Sequence, residues 1–385
     1  MNITVGQKDF SNRLNLLHGL GTTDHGENAG SYCLIRTLKN GKASIAVSSG
    51  TTIAEMPLPL VAMTAYGNVC LPMRQVLNSI KGMAGIIHIF MEAETTTIDG
   101  HGRSFHLGHL DDAQIPPVLS WGTSDMGKIC FSMDCSKFKA AIESVIFAAG
   151  KSDPRYTINS VLFYFAAPGL ILVATNGNQM AIRKLHITVE PQGLDRCIVP
   201  TETLKQILKM LPAGGTVTVS FLADKTGTYI RFNMHSNGQV FGKLVAGTYP
   251  KYEVIPTGNS VCITADRDEL VEALRRVSFV SAERGHAVKV AVTPTGHSAG
   301  ILEIRASNPD LGEARDEVDI EYSGTTFEVG FNAEYLAEGL GQLGRKAVLA
   351  FNEDVLEKKE TLSPVLITSG GGNEDYLQVL MPMRI

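Results

Sequence analysis

Three groups of residues have types and spacings that chemistry uses, and each is undone by its setting. Gly150-Lys151-Ser152 reads like the end of a phosphate-binding loop, but Val145 stands where the first glycine is needed, and a helical pattern precedes it instead of a strand. Nucleotide binding is not expected. His101, His106 and His109 suggest a metal site, yet on a strand positions 106 and 109 point to opposite faces. Cys33, Cys70, Cys130, Cys135, Cys197 and Cys262 form no CxxC pair and no framework spacing, the pattern of reduced core thiols in a cytoplasmic protein. No nucleophile–base pairing or carboxylate cluster stands out, so neither catalysis nor a cofactor is expected. The chemistry left to this chain is non-covalent binding, and what matters is the scaffold that positions the binding groups.

That scaffold is repeated. One passage reads CLPMRQVLNSIKGMAGIIHIFM from Cys70, IVPTETLKQILKMLPAGGTVTVSF from Ile198 and GFNAEYLAEGLGQLGRKAVLAF from Gly330. A second reads ITVGQKDFSNRLNLLHGLG from Ile3, FSMDCSKFKAAIESVIFAAG from Phe131 and ITADRDELVEALRRVSFVSA from Ile263. Both passages recur after 128 and then 132 residues, a period too long for a solenoid and right for a domain. Three like domains, 1–124, 125–256 and 257–385, are expected, with boundaries at the turn-rich segments near Ser124 and Pro256. The 385 residues are 44% hydrophobic and 19% charged, an ordinary globular composition. MNITVGQKDF carries no signal-peptide pattern, and no apolar run approaches the roughly 18 residues of a membrane helix. A net charge of −5 argues against a chain coated in positive charge, but not against one that concentrates it on one surface.

Within a repeat the pattern is strand, helix, strands, helix, strands. Phe138, Ala141, Ile142, Val145, Ile146 and Ala149 fall at helical spacing, with Lys137, Lys139 and Glu143 at other positions. A second helix carries Leu204, Ile207, Leu208 and Leu211, stops at Pro212, and passes through Gly214-Gly215 to the strand TVTVSF. SVLFYF and GLILVAT are short, β-branched or aromatic, and bounded by turn residues. The fold class expected is α+β: two helices on a largely antiparallel sheet, used three times.

RYTINSVLF (155–163), LVATNGNQMAI (172–182), GTYPKYEVIP (247–256), VDIEYSGTTFEVGFN (318–332) and the C-terminal MPMRI carry a close resemblance to one family. It is the bacterial sliding clamp, the beta subunit of the replicative DNA polymerase. The resemblance spans the second and third repeats and is looser over the first. It implies a DNA clamp fold, a head-to-tail homodimer with six domains in a ring, and a non-catalytic processivity factor that encircles double-stranded DNA. Geometry agrees. A domain of this size is about 36 Å across, so six in a ring leave a hole of about that width while three leave about 6 Å. A duplex about 20 Å wide therefore passes through two chains and not one.

The resemblance also implies sites. The ring lining falls to the two helices of each repeat: Lys8, Arg13, Arg74, Lys81, Lys137, Lys139, Lys205, Lys209, Arg267, Arg275 and Arg276. Two loops add Lys151, Arg155, Tyr156, Arg284 and His286. Glu202 and Thr157 depart from the family pattern, standing where a basic residue and a second tyrosine occur in relatives. A pocket for partner peptides is implied at Ile158, Thr175, Gly177, Asn178, Gln179, Met180, Pro250, Val254, Pro364, Val379, Met381, Pro382, Met383 and Arg384. Asn178, Gln179 and Glu253 replace residues often basic in relatives. The implied occupants are the DNA polymerase catalytic subunit, an ATP-dependent clamp loader and other proteins with a clamp-binding motif. The dimer seam would set Phe105 and Leu107 against Phe279 and Val280 of a second copy. The expected location is the cytoplasm, at the nucleoid, with no membrane partner. Two alternatives stay open at this level: a monomeric triplicated peptide-binding scaffold that does not encircle DNA, and an enzyme using the histidine-bearing first repeat.

Overall fold

The computed structural model describes residues 1–20, 32–110, 129–166, 169–190, 193–224, 227–253, 255, 258–281, 286–357, 363–370 and 373–384. Ser124, Val254, Pro256 and Arg284, each named above, lie outside them.

Elements recur in the order the repeats dictate. The first repeat holds β1 (Asn2–Gly6), α1 (Gln7–Leu17), β2 (Tyr32–Thr37), β3 (Ala43–Ser48), β4 (Thr52–Pro57), β5 (Leu60–Ala65), β6 (Asn68–Pro72), α2 (Met73–Ile80), β7 (Ile86–Met91), β8 (Thr95–Gly100) and β9 (Arg103–Gly108). The second holds β10 (Ile129–Asp134), α3 (Cys135–Ile146), β11 (Ser160–Ala166), β12 (Gly169–Thr175), β13 (Gln179–Leu185), β14 (Arg196–Pro200), α4 (Thr201–Met210), β15 (Thr216–Asp224), β16 (Gly227–Asn233) and β17 (Gln239–Lys243). The third holds β18 (Val261–Asp266), α5 (Arg267–Ser281), β19 (Ala287–Pro294), β20 (Gly300–Asn308), β21 (Gly312–Glu321), β22 (Phe327–Asn332), α6 (Ala333–Leu340), β23 (Lys346–Phe351), α7 (Asp354–Glu357), β24 (Val365–Ser369) and β25 (Asn373–Leu380).

In every repeat both main helices start directly from a strand, and at α3, α5 and α6 the last strand residue caps the helix. Asp134 Oδ1 accepts from the backbone N–H groups of Ser136 and Lys137, and Asp266 Oδ1 from those of Asp268 and Glu269. Asn332 Oδ1 accepts from Tyr335 N–H. These side chains satisfy donors that a helix start leaves without an intrahelical partner. At α2 and α4 the same place is taken by Pro72 and Pro200. The apolar stripe expected on α3 is buried at Phe138, Ala141, Ile142 and Val145. Phe138 packs between Phe131 and Phe232, with ring centroids 6.1 and 5.7 Å away.

The strands are antiparallel throughout the described pairings, and each repeat supplies two half-sheets, four-stranded except that in the first repeat β5 leaves the strands between the helices and adds a fifth strand beside β1. One holds the strand before the first helix with the strands after the second; the other holds the strands between the helices. In the second repeat these are β10-β15-β16-β17 and β14-β11-β12-β13. Half-sheets of successive repeats then join edge to edge. β17 pairs with β4 in register Gln239↔Glu55, making an eight-stranded sheet. β13 pairs with β25 in register Gln179↔Leu380, within a twelve-stranded sheet. Sheets that run through the repeat junctions explain why the chain divides into two compact units instead of along its repeats. The first is 1–140, 188–194 and 199–245; the second is 141–187, 195–198 and 246–385. Among the described residues no helix is long and apolar enough to cross a membrane.

Candidate partner-binding site and basic helices

The peptide-site residues expected from the sequence belong to the second unit, and hydrogen bonds draw most of them together. Their centre is the β12–β13 turn, Thr175–Gln179. Gly177 takes φ +92°, a left-handed conformation that suits glycine. Asn176 Oδ1 accepts from the N–H groups of Asn178 and Gln179, and Thr175 Oγ1 donates to the Gln179 carbonyl. The turn is fixed from within.

Against it lies the C-terminal segment. Met180 pairs with Val379 across β13–β25, and Met381 N–H donates to the Asn178 carbonyl at 2.9 Å. Two residues on, Met383 N–H donates to the Gly330 carbonyl at 2.8 Å, so MPMRI is stitched first to the turn and then to β22. Val379 and Pro382 are buried, Met381 and Met383 half-buried, and Arg384 exposed. Flexible methionine side chains at a half-buried surface suit a wall that adapts to different ligands.

Ile158, 2% exposed, sits in the 3-10 turn Tyr156–Asn159 that leads into β11. The segment ending at exposed Pro250 comes alongside through its neighbour: the Tyr249 hydroxyl donates to the Ser160 carbonyl at 3.3 Å. Burial pushes the Tyr249 phenol far above its ordinary range, against a backbone hydrogen bond with Thr175. Pro364 is half-buried, and its carbonyl accepts from Asn259. Four residues not expected from the sequence belong to the same assembly: Tyr249, Gly330, Tyr335 and Gln378. Gln378, a fully buried amide within the apolar second half of β25, carried a visible signal, since LQVL places it on the inward alternation of that strand.

The basic residues separate into two kinds. Lys137, Lys151, Lys205 and Lys209 are exposed and, among the described residues, have no carboxylate within 4.0 Å. Arg155 and Arg275 are already engaged. Arg155 grips Asp153 through two bonds of 2.9 and 3.0 Å, and this pairing draws the Asp153 carboxyl down to about 2. Arg275 holds Glu272 at 2.8 Å. His286 stands 3.6 Å from Glu334. Glu202 has its own explanation: its carboxylate accepts from Ser49 and Thr51 hydroxyls at 2.9 and 2.8 Å, tying α4 to the β3–β4 turn within the first unit.

At the expected seam, Phe105 and Phe279 are exposed, 37% and 67%, and Leu107 is half-buried. Val280 is the correction. It is 1% exposed, because the turn of α5 that carries Phe279 outward directs Val280 into its own core. His106 and His109 separate as alternation requires, bonded to Thr97 and Thr96, consecutive residues of β8. No cluster of metal-ligating side chains forms among the described residues.

Three copies of a two-helix, two-half-sheet unit, joined edge to edge and closed by a C-terminal segment laid on a built turn, define the DNA clamp class. Family models for the DNA polymerase III beta subunit match its central domain at residues 132–251 and its C-terminal domain at 252–384. The chain is 28% identical over 327 residues to the beta sliding clamp of Pseudomonas aeruginosa, covering 83% of this chain and 82% of that one. It is 30% identical over 292 residues to the beta sliding clamp of Caulobacter vibrioides, covering 74% and 73%. The crystal structure of the Bartonella birtlesii sliding clamp bound to griselimycin superposes with a TM-score of 0.85 at 26% identity, over 100% of both chains. The chain belongs to the bacterial DNA polymerase III beta subunit family, the beta sliding clamps. Its role is that of a non-catalytic processivity factor of DNA replication.

Proposed function

We propose that two copies of this chain close head to tail into a ring around duplex DNA, with three domains per copy at 1–124, 125–256 and 257–385. The observation that carries this reading is a pairing rule. The last strand of one repeat's first half-sheet joins the third strand of the preceding repeat's second half-sheet: β17 to β4, then β25 to β13. One strand of each kind is left over. β9 is the end strand of its sheet, and β21, bonded to β20, meets β18 only at its last two residues. The same rule pairs β9 with β21 of a second copy, and two such seams close a six-domain ring. Exposed Phe105 on β9 supplies an apolar contact there, as does Phe279 on the partner chain, while Leu107 adds to the core of the patch.

Lys137, Lys205 and Lys209 on α3 and α4, with Lys151, present exposed positive charge for phosphates, a non-specific attraction compatible with sliding. Arg155, Tyr156, Arg275, Arg284 and His286 complete the set by family resemblance. The site around Thr175–Met180 and Val379–Arg384, with Ile158, Pro250, Val254 and Pro364, docks peptides of the polymerase, the clamp loader and other partners. Apolar anchors fill such a groove while backbone bonds set the register. The ring would work in the cytoplasm, at the nucleoid. Light scattering across a hundredfold range of concentration tests closure. A constant mass of about twice 41.5 kDa is expected; single-chain mass throughout would favour a monomeric peptide-binding scaffold.

A further inference from the structure

Gln378 lies between the peptide site and α6, and its amide is shared by both. Its Nε2 donates to Gln179 Oε1 at 3.2 Å and to the Tyr335 carbonyl of α6 at 3.0 Å. Its Oε1, buried and without a donor, presses on Gly339: a Cβ there would stand 1.7 Å from it. Helix and strand therefore touch at a distance only glycine permits. Gln179 is 2% exposed and continues the chain of contacts. Its Nε2 is buried with no acceptor at hydrogen-bond distance. Buried polar groups left short of partners are rare enough to need a reason.

Glu338 occupies a groove of about 390 Å³ between α5 and α6, with Arg275, His286 and Glu334 on its walls. Burial pushes its carboxyl up; Lys151 draws it down, Glu334 pushes it up, and Gln179 draws it down. The groups that act electrostatically on Glu338 come from the peptide wall, from α6, and from the loop bearing Lys151.

We propose that Gln179 and Gln378 are positioning residues that tie α6 to the β13–β25 wall of the peptide site, so that a seated peptide stiffens α6 and a change at Glu338 alters peptide affinity. The inference rests on the reading of that wall as a peptide dock. Both amides are buried in a packed interior, where a shift on one side must be taken up by the other. Coupling of this kind is reciprocal.

The test uses the full chain and griselimycin, with affinity read by calorimetry and α6 by amide hydrogen exchange. Griselimycin should slow exchange across residues 333–340 as well as 175–180 and 379–383. Glu338→Gln should weaken griselimycin three- to tenfold, and Gln378→Leu should abolish the slowing in α6 while leaving it at 175–180. Affinity of Glu338→Gln within twofold of wild type, or α6 exchange that ignores the ligand in wild type, would overturn the proposal. These two readings decide the matter even if Gln378→Leu fails to fold. Failure of the wild-type chain to bind griselimycin would instead remove the peptide dock itself, and this inference with it.

Discussion

Replacing Glu55 by Gln isolates the polar chain that crosses the β17–β4 junction. Arg231 is 8% exposed; its Nε donates to Gln239 Oε1 at 2.8 Å, and Gln239 Nε2 donates to Glu55 Oε2 at 2.7 Å. Ser44 donates to the other Glu55 oxygen at 2.7 Å. Burial lowers the Arg231 pKa and Glu55 raises it, so the carboxylate is the counter-charge that makes a buried guanidinium tolerable. Breaking a fully buried ion pair costs about 3–5 kcal/mol. Glu55 is half-buried and acts through Gln239, which brings the expectation to about 2 kcal/mol. For a unit near 200 residues, each kcal/mol moves the melting midpoint by about 2–4 °C, so Glu55→Gln should lower it by about 4–8 °C. Adding Arg231→Met removes the stranded charge, and the double variant should lose less than the sum of the singles. Differential scanning calorimetry measures all four proteins. A Glu55→Gln midpoint within 1 °C of wild type, or strict additivity, would refute the reasoning.

Three further outcomes are expected. Deleting residues 381–385 removes the Met381–Asn178 and Met383–Gly330 bonds and should abolish binding of a polymerase-derived peptide by calorimetry without changing the solution mass; retained affinity would contradict the site. Replacing Lys137, Lys205 and Lys209 together by Ala should lower the salt slope of duplex binding, read by fluorescence anisotropy, by roughly 0.9 for each phosphate no longer neutralised. An unchanged slope would move the DNA contacts elsewhere. Gly339→Ala should lower the melting midpoint, although Ala is the better helix former by about 1 kcal/mol, because the methyl group must displace the doubly bonded Gln378 amide. An equal or higher midpoint would show that Gln378 is free to move.

The sequence made local features legible and left non-local ones hidden. The strand–helix order could be read from apolar spacing, and the caps at Asp134, Asp266 and Asn332, acting over two or three residues, are local features of the same kind. The fold class followed from that spacing, whereas TNGNQ entered only as a family motif and its internal bonds show it to be a turn. The pairing of β17 with β4 was not legible, because its partners lie more than 180 residues apart and alternation alone does not say which edge meets which. For the same reason Glu202 looked like a misplaced charge until Ser49 and Thr51, some 150 residues away, were found donating to it. Val280 was misread because the last turn of α5 alternates an outward Phe279 with an inward valine, and apolar type does not reveal direction. Arg155 was readable as basic, but its bond to Asp153 depends on how the loop before β11 folds back.

The central claim is encirclement, and imaging of the purified protein tests it most directly. Negative-stain class averages should show a closed ring of six segments with a hole about 35 Å across, one domain wide. Compact particles without a hole, or open three-segment arcs at every concentration, would contradict the head-to-tail seam between β9 and β21 and the function built on it.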